Sequence, residues 1–258
     1  MADRGFLATD FPVIVAHRGA SSTHPENTLS SFAAALDLGA RIVELDVRLS
    51  ADGVPVVMHD PSVERTTDGA GFVHELTAER LGRLHAGTSE YPAGVPTLAD
   101  ALRLVSGRGA VALEIKNIPG EPAYDPEGEP IVEAALEEVE RTGFPGAVLV
   151  LSFNPRSIAA AKRIAPETAT GFLTNELVPP ADGLAHAVEM GHDLVLPGTR
   201  SLLPLGEPFV RDAHEAGVRV GTWTADDPGT VRTLLTWGVD AIATNDPAMA
   251  LAVLAERS

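Results

Sequence analysis

The chain of 258 residues is long enough for one or two domains, and its 45% apolar composition is sufficient for a buried core. It contains no run of 18 or more apolar residues and no cysteine, which argues against a transmembrane helix and excludes disulfide bonds and thiolate chemistry. The formal net charge of −17 argues against binding to nucleic acid or to anionic membranes, so a phosphate-bearing ligand would need a local positive centre.

The first five residues lack the basic region and the apolar stretch of a signal peptide. Together with the absence of cysteine, this start predicts a cytoplasmic protein. We also predict no nucleic-acid partner and no stable membrane insertion, and the oligomeric state is left open.

Short apolar, β-branched runs alternate with helical patterns along the chain, as in a domain built from strand–helix units. The predicted strands are residues 13–16, 42–49, 54–58, 110–116, 147–151, 168–173, 193–196, 218–223 and 241–243. The predicted helices include residues 28–38, 98–106, 131–141, 156–164, 207–216 and 230–237. Several helices are followed by a glycine, the usual residue at a helix carboxyl end; these glycines are Gly39, Gly143, Gly191, Gly217 and Gly238.

Repeated strand–helix alternation predicts a parallel sheet, and about eight such units over this length favour a closed TIM (β/α)8 barrel over an open, doubly wound sheet. We therefore predict one barrel domain covering residues 1–258. Residues 61–96 break the rhythm, with only a weak helical pattern at 77–84, and are predicted to form a small insertion after the second strand region. An insertion at the carboxyl end of a barrel strand lies beside the active site.

Residues that are candidates for catalysis or binding occur at or near the ends of five predicted strands. They are His17-Arg18-Gly19, Glu44-Leu45-Asp46, His59-Asp60, Glu114-Ile115-Lys116 and Trp223-Thr224. Residues two apart on a strand project from the same face, so Glu44 and Asp46 are expected to point the same way.

Charged residues inside a barrel strand are costly unless they are paired or bind a metal ion. Glu44, Asp46 and Glu114 together offer hard oxygen ligands, which favour one divalent ion, Mg²⁺ or Ca²⁺, over zinc. Arg18 and Lys116 are candidates for the local positive charge that a phosphate needs.

His17 and His59 are candidates for an acid and a base, since an imidazole titrates near neutral pH. Taken alone, a histidine at a strand end also fits a structural residue, and a Glu-x-Asp pair also fits a solvent-facing edge. Complementary chemistry at five separate strand ends favours a catalytic site over both alternatives. The sequence leaves open which histidine is the base and which is the acid.

Other polar residues are predicted to be structural. Asn27 is expected to be the N-cap of the helix at 28–38. His186 and His214 lie in helical surroundings and are expected on the surface, whereas His192 precedes a strand at the end of the barrel that serves stability.

At these positions the sequence resembles the glycerophosphodiester phosphodiesterase family. The motifs that carry the resemblance, in the family's order, are His17-Arg18-Gly19-Ala20, Pro25-Glu26-Asn27-Thr28, Glu44-Leu45-Asp46-Val47, Val56-Val57-Met58-His59-Asp60, Glu114-Ile115-Lys116, Ser152-Phe153, Trp223-Thr224 and Thr244-Asn245-Asp246-Pro247. The resemblance covers nearly the whole chain. The motifs up to Asp60 are together highly specific, whereas Ser152-Phe153 alone is weak.

The resemblance implies a barrel with a small insertion, a metal site, an acid–base pair and a small-molecule substrate. The residues assigned to these roles are Glu44, Asp46 and Glu114 for the metal, His17 and His59 for acid–base catalysis, and Arg18, Lys116 and Trp223 for phosphate and substrate binding. Two positions depart from the family pattern. This chain has Asp226 where the family often has Asn, and Asn245 where the family usually has Asp. We expect neither departure to touch the metal or the histidines.

Related phosphodiesterases use the neighbouring 2-hydroxyl of glycerol as an internal nucleophile, so the resemblance implies metal-dependent hydrolysis of glycerophosphodiesters to glycerol 3-phosphate and an alcohol such as choline or ethanolamine. A phospholipid-cleaving phosphodiesterase of the phospholipase D type would share these motifs, but it is expected to carry an apolar, membrane-facing loop that this sequence does not suggest. A non-catalytic binding barrel is expected to have lost one of the five metal and acid–base residues, all of which are present.

Overall fold

Parallel strands form the centre of the computed structural model, which describes residues 10–257. The strands of these residues are β1 (Val13–His17), β2 (Ile42–Leu49), β3 (Pro55–Val57), β4 (Ala110–Ile115), β5 (Val148–Ser152), β6 (Ala169–Thr174), β7 (Leu194–Pro197), β8 (Arg219–Thr222) and β9 (Ala241–Thr244). All except β3 pair in parallel in the order β1, β2, β4, β5, β6, β7, β8, β9, and β9 pairs back onto β1. The predicted TIM barrel is therefore confirmed.

Helices surround the barrel and connect successive strands. They are α1 (Leu29–Asp37), α2 (Ala78–Gly82), α3 (Leu98–Val105), α4 (Pro130–Thr142), α5 (Pro155–Ile164), α6 (Pro180–Met190), α7 (Thr199–Leu202), α8 (Gly206–Glu215), α9 (Pro228–Thr236) and α10 (Pro247–Ala255). Five of them, α4, α5, α6, α9 and α10, begin with proline, whose missing N–H costs no hydrogen bond at that position. All five glycines predicted to follow helices have a positive φ angle, which confirms their role in ending the helices.

Alternation along β2 divides the core between the inside and the outside of the barrel. Val43, Leu45 and Val47 pack outward with residues of α1, α3 and α4. Ile42 packs inward with residues of the other barrel strands, and Glu44 and Asp46 follow it at two-residue intervals on the same inner side. The barrel interior is thus apolar at its base and carries carboxylates toward the carboxyl ends of the strands.

Strand β3 differs from the other predicted strands because it lies outside the barrel. It pairs antiparallel with β2, with Val57 opposite Val47. Residues 61–96 follow it and contain a 3₁₀ turn (Val73–Glu75), helix α2 and a small apolar cluster of their own. Because β3 runs antiparallel to β2, the chain beyond Val57 returns toward the barrel, and this brings His59 to the barrel mouth.

Two histidines were predicted to lie on the surface because of their helical surroundings, and one of them does not. His214 is partly exposed, as expected, with Nε2 2.7 Å from the Asp240 carboxylate. His186 is half-buried, its ring 4.9 Å from Phe172 and 5.6 Å from His192, so the prediction of a surface residue was wrong.

No helix within residues 10–257 is long and apolar enough to cross a membrane.

Candidate active site

The carboxyl ends of the barrel strands surround a cavity of about 290 Å³. Seven of the eight predicted site residues line it: His17, Arg18, Glu44, His59, Glu114, Lys116 and Trp223. The eighth, Asp46, is fully buried next to Glu44 and Glu114. Strand register explains this convergence, because His17 is paired with Glu44, and Asp46 with Glu114, on neighbouring strands.

Glu44, Asp46 and Glu114 form a buried cluster of carboxylates. One oxygen from each of the three lies within 4.8 Å of the others. Burial, followed by the charges of Asp46 and Glu114, raises the pKa of Glu44 well above its ordinary value. The Glu44 Oε1 atom is buried and has no hydrogen-bond partner, although its Oε2 atom accepts the backbone N–H of Arg18 at 2.9 Å.

These properties fit a bound divalent cation. Three carboxylates form a donor set of hard oxygens. A cation between them would offset their mutual repulsion and would give the unpaired Glu44 oxygen a partner. Glu44, Asp46 and Glu114 are the residues that would hold such an ion.

Two cations partly neutralise the carboxylates. Lys116 Nζ is 2.9 Å from Asp46 Oδ1 and also contacts the Glu114 carboxylate, and Arg18 Nε is 3.1 Å from Asp46 Oδ2. Burial alone would raise the pKa of Asp46, but Lys116 and Arg18 outweigh it and hold the pKa far below the ordinary value. Burial would likewise lower the pKa of Lys116, but Asp46 and Glu114 raise it. Both cations thus remain charged next to the cavity.

His17 is held at the end of β1 by contacts from the far end of the chain. Its Nδ1 lies 2.8 Å from Asn245 Oδ1, and its Nε2 lies 4.0 Å from Glu44 Oε2. Burial and the adjacent Arg18 lower its pKa below the ordinary value, which favours the neutral ring. The expectation that the departure at position 245 would not touch a histidine was therefore wrong.

His59 is held by a carboxylate and by its own backbone. Its Nδ1 lies 2.6 Å from Asp60 Oδ1, which leaves Nε2 for the cavity. The guanidinium of Arg48, itself buried, donates to the backbone carbonyl of His59 from Nε at 2.8 Å and to Glu121 from Nη1 at 2.7 Å. Burial and then Lys116 lower the pKa of His59, although its side chain is more exposed than that of His17, at 35% against 14%.

Ion pairs connect the insertion to the rim of the barrel. Arg65 contacts Asp60 and also donates to Glu26, and Glu26 in turn accepts from Arg18 at 3.0 Å. Asp60, the partner of His59, is therefore linked to Arg18 at the carboxylate cluster. Hydrogen bonds from Arg65 and His59 lower the pKa of Asp60 to about 2, against the effect of its partial burial.

Asn27 contacts the carboxylate cluster instead of capping a helix. Thr28 is the N-cap of α1, and Asn27 has a φ angle of +57°. Its Nδ2 donates to Asp46 Oδ2 at 2.7 Å, and it is almost fully buried. The predicted N-cap was wrong by one residue, and the polar side chain serves the orientation of Asp46.

An aromatic pair forms another side of the cavity. Trp223, beyond the end of β8, packs edge-on against Phe153 with ring centroids 5.3 Å apart, and its indole N–H donates to the Leu196 carbonyl. Trp223 also borders a second, larger cavity of about 780 Å³ on the outer rim. The ring is thus fixed between the buried polar site and the rim.

Several polar residues at the site were not predicted as site residues. Asn27, Asp60 and Asn245 lie within the recognised motifs, so their positions were visible, but their contacts with Asp46, His59 and His17 were not. Arg48, Arg65 and Glu26 are also part of the site, and the only sequence signal for Arg48 is a charged residue within an apolar strand.

Known proteins are similar to this chain in both sequence and fold. Residues 17–249 match the glycerophosphoryl diester phosphodiesterase family. A glycerophosphodiester phosphodiesterase from Caldanaerobacter subterraneus is 35% identical over 245 residues, which cover 91% of this chain and 94% of the relative. A phosphodiesterase from Oleispira antarctica, solved in complex with the product sn-glycerol-3-phosphate, superposes with a TM-score of 0.85 at 30% identity and covers 95% of this chain and 97% of its own. A glycerophosphodiester phosphodiesterase from Agrobacterium tumefaciens gives a TM-score of 0.77 at 29% identity over 94% and 99% of the two chains.

Proposed function

Because the chain belongs to the glycerophosphoryl diester phosphodiesterase family, it is a phosphodiester hydrolase, and we propose that it converts glycerophosphodiesters to glycerol 3-phosphate and an alcohol by histidine acid–base catalysis beside a bound divalent metal ion. The observation that carries the proposal is the meeting of three carboxylates and two histidines at one small cavity. The product complex of the Oleispira antarctica relative supports a glycerol phosphate as the part of the substrate that is held.

Glu44, Asp46 and Glu114 would hold the metal ion, and their hard oxygen ligands favour Mg²⁺ or Ca²⁺. When bound, such an ion supplies positive charge that polarises a phosphoryl oxygen and offsets the charge that develops at phosphorus. Asn27 and Lys116 keep Asp46 in place through hydrogen bonds and charge.

Arg18 and Lys116 are proposed to attract and orient the phosphodiester anion. Both lie at the cavity and remain charged, and a local positive centre is needed because the chain carries a formal net charge of −17. The Trp223 ring is proposed to limit the space for the glycerol and to guide the alcohol toward the rim cavity that it borders.

His17 and His59 are proposed to exchange protons with the reacting oxygens through their Nε2 atoms, because the Nδ1 atom of each is engaged by Asn245 or Asp60. One histidine accepts the proton of the glycerol 2-hydroxyl as this oxygen bonds to phosphorus. The other donates a proton to the oxygen of the leaving alcohol as its bond to phosphorus breaks. Water then opens the resulting cyclic phosphate with the two roles reversed, which gives glycerol 3-phosphate.

The site favours small substrates. The cavity of about 290 Å³ is large enough for a glycerol phosphate, and within residues 10–257 the insertion contributes only a 3₁₀ turn and the five-residue helix α2. These elements offer no long apolar surface for acyl chains, so no observation favours the lipid-cleaving alternative. Cytoplasmic location, a single domain and the absence of a nucleic-acid partner remain predictions.

The identity of the products tests the proposal. Purified protein with Mg²⁺ and glycerophosphocholine is expected to give the ³¹P NMR signal of glycerol 3-phosphate and an equimolar amount of choline. The His214→Ala variant serves as a matched control that keeps activity, since this histidine lies on α8 away from the cavity. Release of phosphocholine and glycerol, or faster turnover of micellar lysophosphatidylcholine than of glycerophosphocholine, would contradict the proposal.

A further inference from the structure

A chain of hydrogen bonds runs from Asp226, in the loop after β8, through Asn245, just after β9, to His17 at the end of β1. The two positions that depart from the family pattern are thus in direct contact with each other. We propose that Asp226 is a positioning residue for the reaction: it fixes the orientation of the Asn245 amide, which in turn fixes the proton of His17 on Nδ1. This inference deepens the proposed function and rests on it for its catalytic consequence.

Asp226 acts only as an acceptor in this network. Its Oδ1 accepts from the backbone N–H of Asn245 at 2.7 Å and from Thr244 Oγ1 at 3.0 Å. Its Oδ2 accepts from Asn245 Nδ2 at 2.8 Å and from Thr224 Oγ1 at 3.0 Å. A carboxylate has no donor, so the side of the Asn245 amide that faces it must be the NH₂ group. The amide oxygen therefore has to face the opposite way, toward His17.

The orientation of Asn245 determines the tautomer of His17. The amide oxygen lies 2.8 Å from His17 Nδ1 and is only an acceptor, so Nδ1 must carry a proton. In the neutral ring Nε2 is then bare, and it lies on the side of the carboxylate cluster, 4.0 Å from Glu44 Oε2. Whether His17 accepts or donates a proton at Nε2, its Nδ1–H needs an acceptor throughout. The Ser21 hydroxyl donates to the same Asn245 amide oxygen at 2.9 Å and further restrains the amide.

The substitution Asp226→Asn exchanges one acceptor for an NH₂ group in a place surrounded by donors. If the new amide oxygen keeps the contacts with the backbone of Asn245 and with Thr244, its NH₂ group meets the NH₂ group of Asn245. Turning the Asn245 amide by 180° relieves this clash but presents NH₂ to His17 Nδ1. The ring must then accept at Nδ1 and carry its proton on Nε2, which is the tautomer that cannot accept a proton from the substrate.

The reciprocal substitution restores the pattern of donors and acceptors. Asn245→Asp alone places two carboxylate oxygens at the 2.8 Å separation now occupied by a hydrogen bond, and the charges repel. In the double variant Asp226→Asn/Asn245→Asp, the amide at position 226 donates to the carboxylate at position 245, which still accepts from His17 Nδ1. The Thr224 hydroxyl serves as either donor or acceptor, so every contact is satisfied again.

Turnover of the four proteins tests this inference. Each single variant is expected to lose about 10- to 100-fold in kcat, with KM within threefold of wild type, because an outer partner of a positioned histidine is lost. The double variant is expected to recover to within about fivefold of wild type. The matched control is Asp227→Asn, the same chemical change at the neighbouring residue, which caps α9 and does not contact Asn245; it is expected to change kcat less than twofold.

A second measurement reports the tautomer without any substrate. In ¹⁵N-histidine-labelled protein at pH 8, with the His17 signals assigned from the His17→Gln spectrum, the wild type is expected to show a protonated Nδ1 and a bare Nε2. Asp226→Asn is expected to reverse this pattern, and the double variant to restore it. A wild-type pattern in Asp226→Asn, or a double variant no more active than the more active of the two single variants, would overturn the inference. If the wild type hydrolyses no glycerophosphodiester, the proposed function fails, and the spectra still decide the orientation of His17.

Discussion

Replacing Glu44 with glutamine, Glu44→Gln, separates the metal-binding role of the carboxylate cluster from its cost to stability. At 4.8 Å, the upper limit of the separations between the three ligand oxygens, and an effective dielectric constant of about 20, two carboxylates repel each other by about 3.5 kcal/mol. Arg18 and Lys116 offset part of this repulsion, yet the pKa of Glu44 stays raised, so the net effect of its charge on the metal-free fold is unfavourable. Glutamine still accepts the Arg18 backbone N–H that Glu44 accepts at 2.9 Å.

Metal-free Glu44→Gln is therefore expected to be more stable than the metal-free wild type by about 1–2 kcal/mol at pH 7.5, or about 2–8 °C for a domain of this size. The size of this stability difference depends on pH. Since the folded pKa of Glu44 is above the unfolded value, the wild type loses stability as pH rises above the unfolded pKa, by up to about 1.4 kcal/mol per unit. At pH 4, where Glu44 is protonated in the folded protein and mostly protonated in the unfolded chain, the difference between the two proteins should be small.

Added metal should stabilise the wild type more than it stabilises Glu44→Gln, and so reduce the stability advantage of the variant. A divalent ion at 100 times its Kd stabilises the wild type by about 2.7 kcal/mol, or about 5–11 °C. A 10- to 100-fold weaker site in Glu44→Gln would gain no more than about 1.4 kcal/mol at the same concentration.

Differential scanning calorimetry with and without Mg²⁺, at pH 4 and pH 7.5, measures these shifts. Glu140→Gln, on the exposed face of α4, is the matched control and should behave as the wild type. A metal-free Glu44→Gln protein less stable than the wild type at pH 7.5, or one with an unchanged response to Mg²⁺, would refute the reasoning about this cluster.

Three further predictions follow from the same site and fold. His17→Ala and His59→Ala should each reduce kcat about 10²- to 10⁴-fold, and the double variant should be little worse than either single variant. Calorimetry should show that all three variants still bind Mg²⁺. Near-normal turnover of a single variant would remove that histidine from the acid–base pair. A glycerophosphodiester that lacks the 2-hydroxyl should react far more slowly, because the internal nucleophile is lost, and an equal rate would indicate direct attack by water. Burial lowers the pKa of His192 to about 4, so its neutral form stabilises the fold above the ordinary pKa of 6.5, and this contribution is lost as pH falls from 6.5 toward 4. Urea unfolding of wild type and His192→Asn at pH 7 and pH 4.5 should show the larger pH effect in the wild type; equal pH effects would contradict this.

Residues on one strand could be placed from the sequence because a two-residue period is local. The pattern at 42–49 put Glu44 and Asp46 on one face, and their burial inside the barrel confirms it. The predicted convergence of strand ends also holds, because all parallel strands of a barrel present their carboxyl ends on the same side.

Contacts between distant segments could not be predicted in the same way. His17 and Asn245 are 228 residues apart and meet only because β9 closes the barrel onto β1. No local pattern encodes that pairing, so Asn245 was recognised as a departure from a motif but not as the partner of a histidine.

Two local features, one of them the misplaced helix cap, have a backbone cause. Strand β3 looks like a barrel strand in its apolar composition, but the short connection after β2, with Gly53 at a φ angle of +74°, makes it the second strand of a hairpin. Asn27 precedes α1 as a good N-cap would, but its φ angle of +57° turns its side chain toward Asp46 and leaves the cap to Thr28.

The measurement that bears most directly on the central claim is the initial rate of glycerol 3-phosphate release from glycerophosphocholine by metal-stripped protein. We predict no release in the presence of chelator, and recovery of the rate as Mg²⁺ or Ca²⁺ is added back in excess. Recovery in Glu44→Gln should require a metal concentration about 10- to 100-fold higher than in the wild type. A full rate in rigorously metal-free wild-type protein would contradict a catalytic metal ion at Glu44, Asp46 and Glu114.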